Sequence, residues 1–179
     1  MDTLVEIFRT KTYSGPPIRF SGVVVGLDGA PEPLMFADLI DAQLSNIEFE
    51  RSKFSMSANR GTFRDVSFLR CHFDRVFMRQ TSWQRCSFAR SVMVPDMTDA
   101  VLEDCNFSGA KLRGIAGEYG GRRTRFVRCD FRECVFDRVQ FLASRFVDCD
   151  LSTLRIIKSD LRGTSHNGTP LQNVAEAQL

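Results

Sequence analysis

Between Arg128 and Leu161 a large apolar side chain returns at every fifth position: Phe131, Phe136, Phe141, Phe146, Leu151, Ile156 and Leu161. Two residues before each stands a small or apolar one, namely Cys129, Cys134, Val139, Ser144, Cys149, Leu154 and Ser159. An α-helix would scatter such a pattern around its whole cylinder. A straight strand would send successive members of an odd-period series to opposite faces. The pattern fits a chain that runs straight for three residues, with the first and third pointing inward, and then turns a corner over two polar ones. Repetition winds this unit into a solenoid whose large and small side chains stack in separate columns.

The register continues through most of the chain, as expected of an internally repeated architecture. Phe126 joins the series with Thr124 as its small partner. Upstream run Phe63, Phe68, Phe73, Met78, Trp83, Phe88 and Met93, then Met97, Leu102, Phe107 and Leu112, each with a small or apolar residue two positions earlier. Leu39, Leu44, Phe49 and Phe54 stand at the front. The offsets between blocks predict corner defects near Ser57 to Arg60 and at Val94. They also predict a projecting loop over about 113–123, in which roughly nine residues are surplus at one corner.

The segments "ADLID", "CDFRE", "CDLST" and "SDLRG" resemble the A-[DN]-[LF]-x-x unit of pentapeptide repeat proteins, over residues 37–163. The resemblance implies an all-β, right-handed, four-sided β-helix with four pentapeptides to a coil. Residues 1–179 are then one domain of six to seven coils. Residues 1–36 are a cap or an irregular first coil that includes Phe20 and Val25, and 164–179 are a tail. In that tail "TPLQNVAEAQL" reads as a short helix with Thr169 as N-cap, Pro170 first and Gln172 closing a capping box. Leu171, Val174 and Ala175 would line one side of it.

Composition restricts the chemistry. All six cysteines, Cys71, Cys86, Cys105, Cys129, Cys134 and Cys149, occupy the small inward position, so they read as free, buried packing residues. Cys129 and Cys134 should lie on different sides of the coil. With His72 and His166 the only histidines, no metal or other cofactor is expected. Unpaired thiols point to a reducing compartment, the cytoplasm, and no segment approaches a membrane span. The glycine-rich "RGIAGEYGGRRTR" lacks the signature of a phosphate-binding loop, and no nucleophile and base recur together, so catalysis is not expected.

Binding is the remaining class. In the loop, Tyr119, Arg122 and Arg123 offer contact and charge. Counting one side per repeat, with the loop as a single step, stacks Arg51, Arg70, Arg90, Arg138 and Lys158 in one column. The same count gathers Glu103, Asp104, Asp130, Glu133 and Asp150 on the preceding side. Outward Val127, Val135, Leu142, Val147 and Ile157, with Leu171 and Val174, are the candidate contacts of a homodimer formed near the C-terminal end. In size and in its interrupted helix the chain resembles the quinolone-resistance members of the family. That implies a non-catalytic rod that modulates or protects a type II topoisomerase, DNA gyrase or topoisomerase IV, through an acidic side that imitates DNA, without contacting nucleic acid itself. The alternative is a general interaction scaffold, or an immunity or effector protein. The formal net charge of +2, from 24 basic and 22 acidic residues, departs from the acidic character of such mimics.

Overall fold

A computed structural model describes residues 2–115 and 119–171. The chain is a four-sided β-solenoid of about six turns, with parallel hydrogen bonding between successive coils. On side 1 the large inward residues stack as Tyr13, Leu44, Phe63, Trp83, Leu102, Phe126, Phe146 and His166. Side 2 stacks Phe20, Phe49, Phe68, Phe88, Phe107, Phe131 and Leu151. Side 3 stacks Val25, Phe54, Phe73, Met93, Leu112, Phe136 and Ile156. Side 4 stacks Leu39, Ala58, Met78, Met97, Gly121, Phe141 and Leu161.

Aromatic stacking holds side 2 together. Phe49, Phe68, Phe88, Phe107 and Phe131 form a face-to-face ladder with ring centroids 4.8 to 5.5 Å apart. These spacings follow the roughly 4.8 Å separation of neighbouring strands, so identical residues on successive coils fall into offset contact without adjustment. The five rings are essentially inaccessible to solvent.

The small inward slots carry more than packing. In that slot the backbone N–H points along the rod at the same slot of the next coil. The Cys71 N–H donates to Ser91 Oγ (2.9 Å), whose hydroxyl donates in turn to the Phe68 carbonyl (2.6 Å). Thr124 N–H donates to Ser144 Oγ, and Thr124 Oγ1 donates to the Met97 carbonyl. Cys129 N–H likewise donates to Cys149 Sγ at 3.4 Å, and the Cys86, Cys105 and Cys129 thiols donate to carbonyls of the coil before. Ser, Thr and Cys therefore satisfy buried backbone groups that Ala would leave alone. Pro95 fills one slot on side 4 and has no N–H to satisfy.

Corners take left-handed backbone at non-glycine residues such as Asp65, Arg85, Asp104 and Arg128. Each such residue costs roughly 1 kcal/mol and persists because the rungs on both sides over-determine it.

Apart from two surplus residues between Tyr13 and Phe20 in the first coil, every irregularity in coil length sits on one edge, between sides 3 and 4. Val25 to Leu39 encloses α2 (Glu32–Met35). One residue is missing at Ser55, between Phe54 and Met56, and another at Val94. The first deficit therefore lies just before the predicted position at Ser57 to Arg60. The predicted nine-residue loop is also corrected. Gly120–Arg122 form a full rung of side 4, with Gly121 in the large slot, so Leu112 to Phe126 spans two steps and the surplus is four residues.

The two ends are closed differently. At the front, α1 (Asp2–Thr10) buries Leu4, Ile7 and Phe8. At the back, Ser165–His166 pairs antiparallel with Thr169–Pro170 through a two-residue turn, Asn167 (φ 48°) and Gly168 (φ 83°). This corrects the reading of Thr169 and Pro170 as a helix start: Asn-Gly with both residues left-handed is the signature of a tight hairpin, which makes Thr169 and Pro170 strand, and helix begins at Leu171. Leu171 is buried against the core. The remainder of the expected helix, with Gln172, Val174 and Ala175, lies outside the described residues.

Candidate functional site

The corrected step count redistributes the charged columns. Glu103 lies on side 1 and Asp104 at the edge between sides 1 and 2. Asp130 and Asp150 lie on side 2, and Glu133 at the edge between sides 2 and 3. The five carboxylates thus form no single stripe, and three of them are engaged. Arg128 forks onto Asp104 through two bonds of 2.7 and 2.9 Å, holding its carboxyl below the usual range. Arg132 does the same to Asp130 and reaches Asp150 at 3.6 Å.

The edge between sides 1 and 2 alternates in charge, and the edge between sides 4 and 1 carries two Asp–Arg pairs separated by Gln80. Asp41 with Arg60, Asp65 with Arg85, Asp99 with Arg123, and Asp104 with Arg128 are all two-point carboxylate–guanidinium pairs between successive coils. Their geometry is the strong form of an ion pair, although exposure keeps each contribution small.

The two edges flanking side 3 follow another rule. Arg51, Arg70 and Arg90 stack on successive coils at one edge. Arg75, Arg138 and Lys158 occupy the other. Between them side 3 adds Lys53, Lys111, Arg113 and Arg155. Against these ten cations from Arg51 to Lys158 stand, among the described residues, only Asp74, Glu133 and Asp137. Lys53, Arg70, Arg90, Arg155 and Lys158 make no ion pair among the described residues. Asp137 is enclosed by three cations: Arg138 at 3.1 Å, Lys111 at 3.6 Å and Arg113 at 3.9 Å. Burial pushes its carboxyl up, but Arg138 and Lys111 outweigh that and hold it low. The column expected from sequence therefore splits, with Arg51, Arg70 and Arg90 on one edge and Arg138 and Lys158 on the next, and the whole of side 3 lies between them.

Side 4 carries a cleft of about 330 Å³ where Gly120 leaves a gap in the outward column. Tyr119 and Phe77 wall it, ring centroids 6.3 Å apart, with Arg122 at its rim. Tyr119 and Arg122 thus come together, whereas Arg123 turns onto the neighbouring edge to meet Asp99. The cleft could not be read from the repeat pattern, because Tyr119 stands in a slot that elsewhere faces inward.

The proposed dimer contacts do not form one patch. Val127 and Val147 lie on side 1, Val135 and Ile157 on side 3, and Leu142 on side 4; Val127 and Leu171 are buried. The six cysteines are free and buried. Cys86, Cys105, Cys129 and Cys149 form one column on side 2, while Cys71 and Cys134 stand on side 3. Burial pushes Cys71 up to about 11 and raises Cys134 as well. Contacts within the column raise Cys105 and Cys149 and draw Cys129 down. Among the described residues no group of three or more His, Cys, Asp or Glu could hold a metal ion, and no helix is long and apolar enough to cross a membrane.

Comparisons with known proteins bear on the fold. The family model described as "Pentapeptide repeats (8 copies)" matches residues 122–152. No curated protein matches in sequence. Among solved structures, QnrB1, a plasmid-mediated fluoroquinolone resistance protein, is similar at 12% identity over 90% of this chain and 97% of its own, with a TM-score of 0.42. HetL, a pentapeptide repeat protein involved in heterocyst differentiation regulation from the cyanobacterium Nostoc, is similar at 8% identity over 94% and 97%, with a TM-score of 0.40. The matched repeats run without a break of register into coils of the same construction on either side, so the likeness of residues 122–152 to pentapeptide repeats extends in construction to the coils around them.

Proposed function

We propose that the protein is a non-catalytic docking rod whose basic long side, side 3 with its two edges, holds an acidic macromolecular partner. The observation that carries this is the contrast between edges. The same left-handed corner position that alternates Asp and Arg at the edge between sides 1 and 2 carries Arg51, Arg70 and Arg90 in succession between sides 2 and 3. Like charges one coil apart, roughly 5 Å, repel and contribute nothing to folding, so their gain lies in attraction to an opposite surface and in a faster encounter with it.

A second reading is modulation of a type II topoisomerase, DNA gyrase or topoisomerase IV, by DNA mimicry. Side 2 favours it, because it bears Glu48, Glu50, Asp130 and Asp150 against Arg19 and Arg132.

One set of variants separates the two readings. Affinity capture should lose its partner when Arg70, Arg90 and Arg155 are changed to Glu, and keep it when Asp130, Glu133 and Asp150 are changed to Asn or Gln. The opposite outcome, together with inhibition of gyrase supercoiling by the intact protein, would overturn the docking reading in favour of mimicry.

A further inference from the structure

The cleft on side 4 is independent of the basic side, and its chemistry is specific. Gly120 sits in the outward column where the other coils place Phe77, Asp96, Gln140 and Asp160. The backbone enforces glycine there: φ is +135°, and a Cβ would lie 2.3 Å from the Gln140 carbonyl oxygen. The gap is therefore built into the coil rather than left by a side chain that could fill it.

Tyr119 lines the gap by an unusual route. Its carbonyl accepts from the Gln140 N–H as the Val139 carbonyl accepts from Asp160, which places it in the slot that Val139 uses to face the core. A φ of +66° goes with a ring that instead lies beside Phe77 on the outer surface. Left-handed backbone at a bulky residue is costly and tends to be kept where a site uses it.

The charges in the cleft are unequal in their freedom. Asp96 is fully engaged: one oxygen accepts from Arg79 Nε at 2.6 Å and the other from the Thr98 N–H at 3.1 Å. Arg79 is held by that pair and lies with its guanidinium carbon 5.7 Å from the centre of the Phe77 ring. Arg122 has its guanidinium exposed, without an ion pair among the described residues. One uncommitted cation therefore stands beside two aromatic walls, in a space at the lower end of the range for small-molecule sites, roughly 300–1,000 Å³.

We infer that this cleft binds a small planar aromatic carboxylate, its ring against Tyr119 and Phe77 and its carboxylate paired with the Arg122 guanidinium. A guanidinium matches a carboxylate through two parallel bonds. A phosphate dianion fits less well, because among the described residues Asp96 leaves the cleft only one net positive charge.

Ligand-observed NMR with 2-naphthoate, 2-naphthamide and phenyl phosphate tests the assignment on the full chain. Saturable binding of 2-naphthoate is expected, with the amide weaker by about ten-fold or more, the order of a charge-assisted hydrogen bond. Arg122→Gln and Tyr119→Ala should each weaken 2-naphthoate by a similar factor. Arg123→Gln, which alters the neighbouring residue on the next edge, should leave it unchanged. Melting curves of the three variants, compared with the unaltered protein, show that each is folded. Equal affinity for acid and amide, no binding of 2-naphthoate, binding that survives Arg122→Gln, or tighter binding of phenyl phosphate would each overturn the inference.

Discussion

The edges beside side 1 and the edges beside side 3 use the same backbone and opposite charge logic. Both turn the chain through left-handed corner residues, and both place long polar side chains one coil apart. Beside side 1, at its edge with side 2, those side chains alternate, so Asp65 meets Arg85 and Asp104 meets Arg128. Beside side 3, Arg51, Arg70 and Arg90 repeat one sign, and the few carboxylates present, such as Asp137, are outnumbered by the cations around them. A repeat coil thus separates two tasks that compete in most proteins. Its inward columns fix the fold, which leaves the corner positions free to be neutral along one edge and charged along another.

The comparison is broken most completely through the core that both kinds of edge share. Phe131 stacks on Phe107 at 4.8 Å and is fully buried. Phe131→Asp strands a carboxylate among phenylalanines and should abolish cooperative unfolding, while Phe131→Ala should cost about 3–5 kcal/mol. Circular dichroism melts would show both, and retention of the normal transition by Phe131→Asp would refute the stacked core.

Next in size is the buried hydrogen-bond column. Ser91→Ala removes the partner of the Cys71 N–H and of the Phe68 carbonyl and should cost about 1–3 kcal/mol in denaturant titration. Ser91→Cys should cost less, because thiols fill the equivalent slots at Cys86 and Cys105. If both variants cost the same, the slot would be a matter of volume alone.

Most of this core was legible in the sequence. The pentad ladder specified the inward columns, including the positions of all six cysteines, because period and burial are the same fact in a coil with few choices. The edge assignment was not legible across the insertion, since Gly121 stands in a large inward slot and offers no apolar signal. Counting back five from Phe126 lands on it, a signal present in the sequence but masked by the neighbouring glycines. The hairpin at Asn167 and Gly168 was likewise overshadowed by the competing helix-start reading of Thr169 and Pro170. The cleft depends on an unusual φ at Tyr119, which no spacing encodes.

A smaller effect sharpens the contrast directly. Arg85→Ala breaks a two-point pair and should lower the melting temperature slightly, whereas Arg90→Ala relieves repulsion within its column and should leave it unchanged or raise it. The pH dependence carries the sign. The bond from Arg85 holds the Asp65 carboxyl below its ordinary value, so its contribution is present above the unfolded pKa and lost as pH falls through the folded one. The deficit of Arg85→Ala should therefore shrink in acid. A deficit that persists below the range in which Asp65 titrates would assign the loss to packing.

The central claim, that side 3 exists to meet an acidic surface, is tested most directly by the salt dependence of affinity for a labelled poly-glutamate. The logarithm of affinity should fall steadily with the logarithm of salt concentration for the intact protein. The slope should flatten when Arg70, Arg90 and Arg155 are changed to Glu, and remain unchanged when the paired Arg85 and Arg128 are changed to Ala. Equal slopes for the intact protein and the side 3 variant would contradict the account.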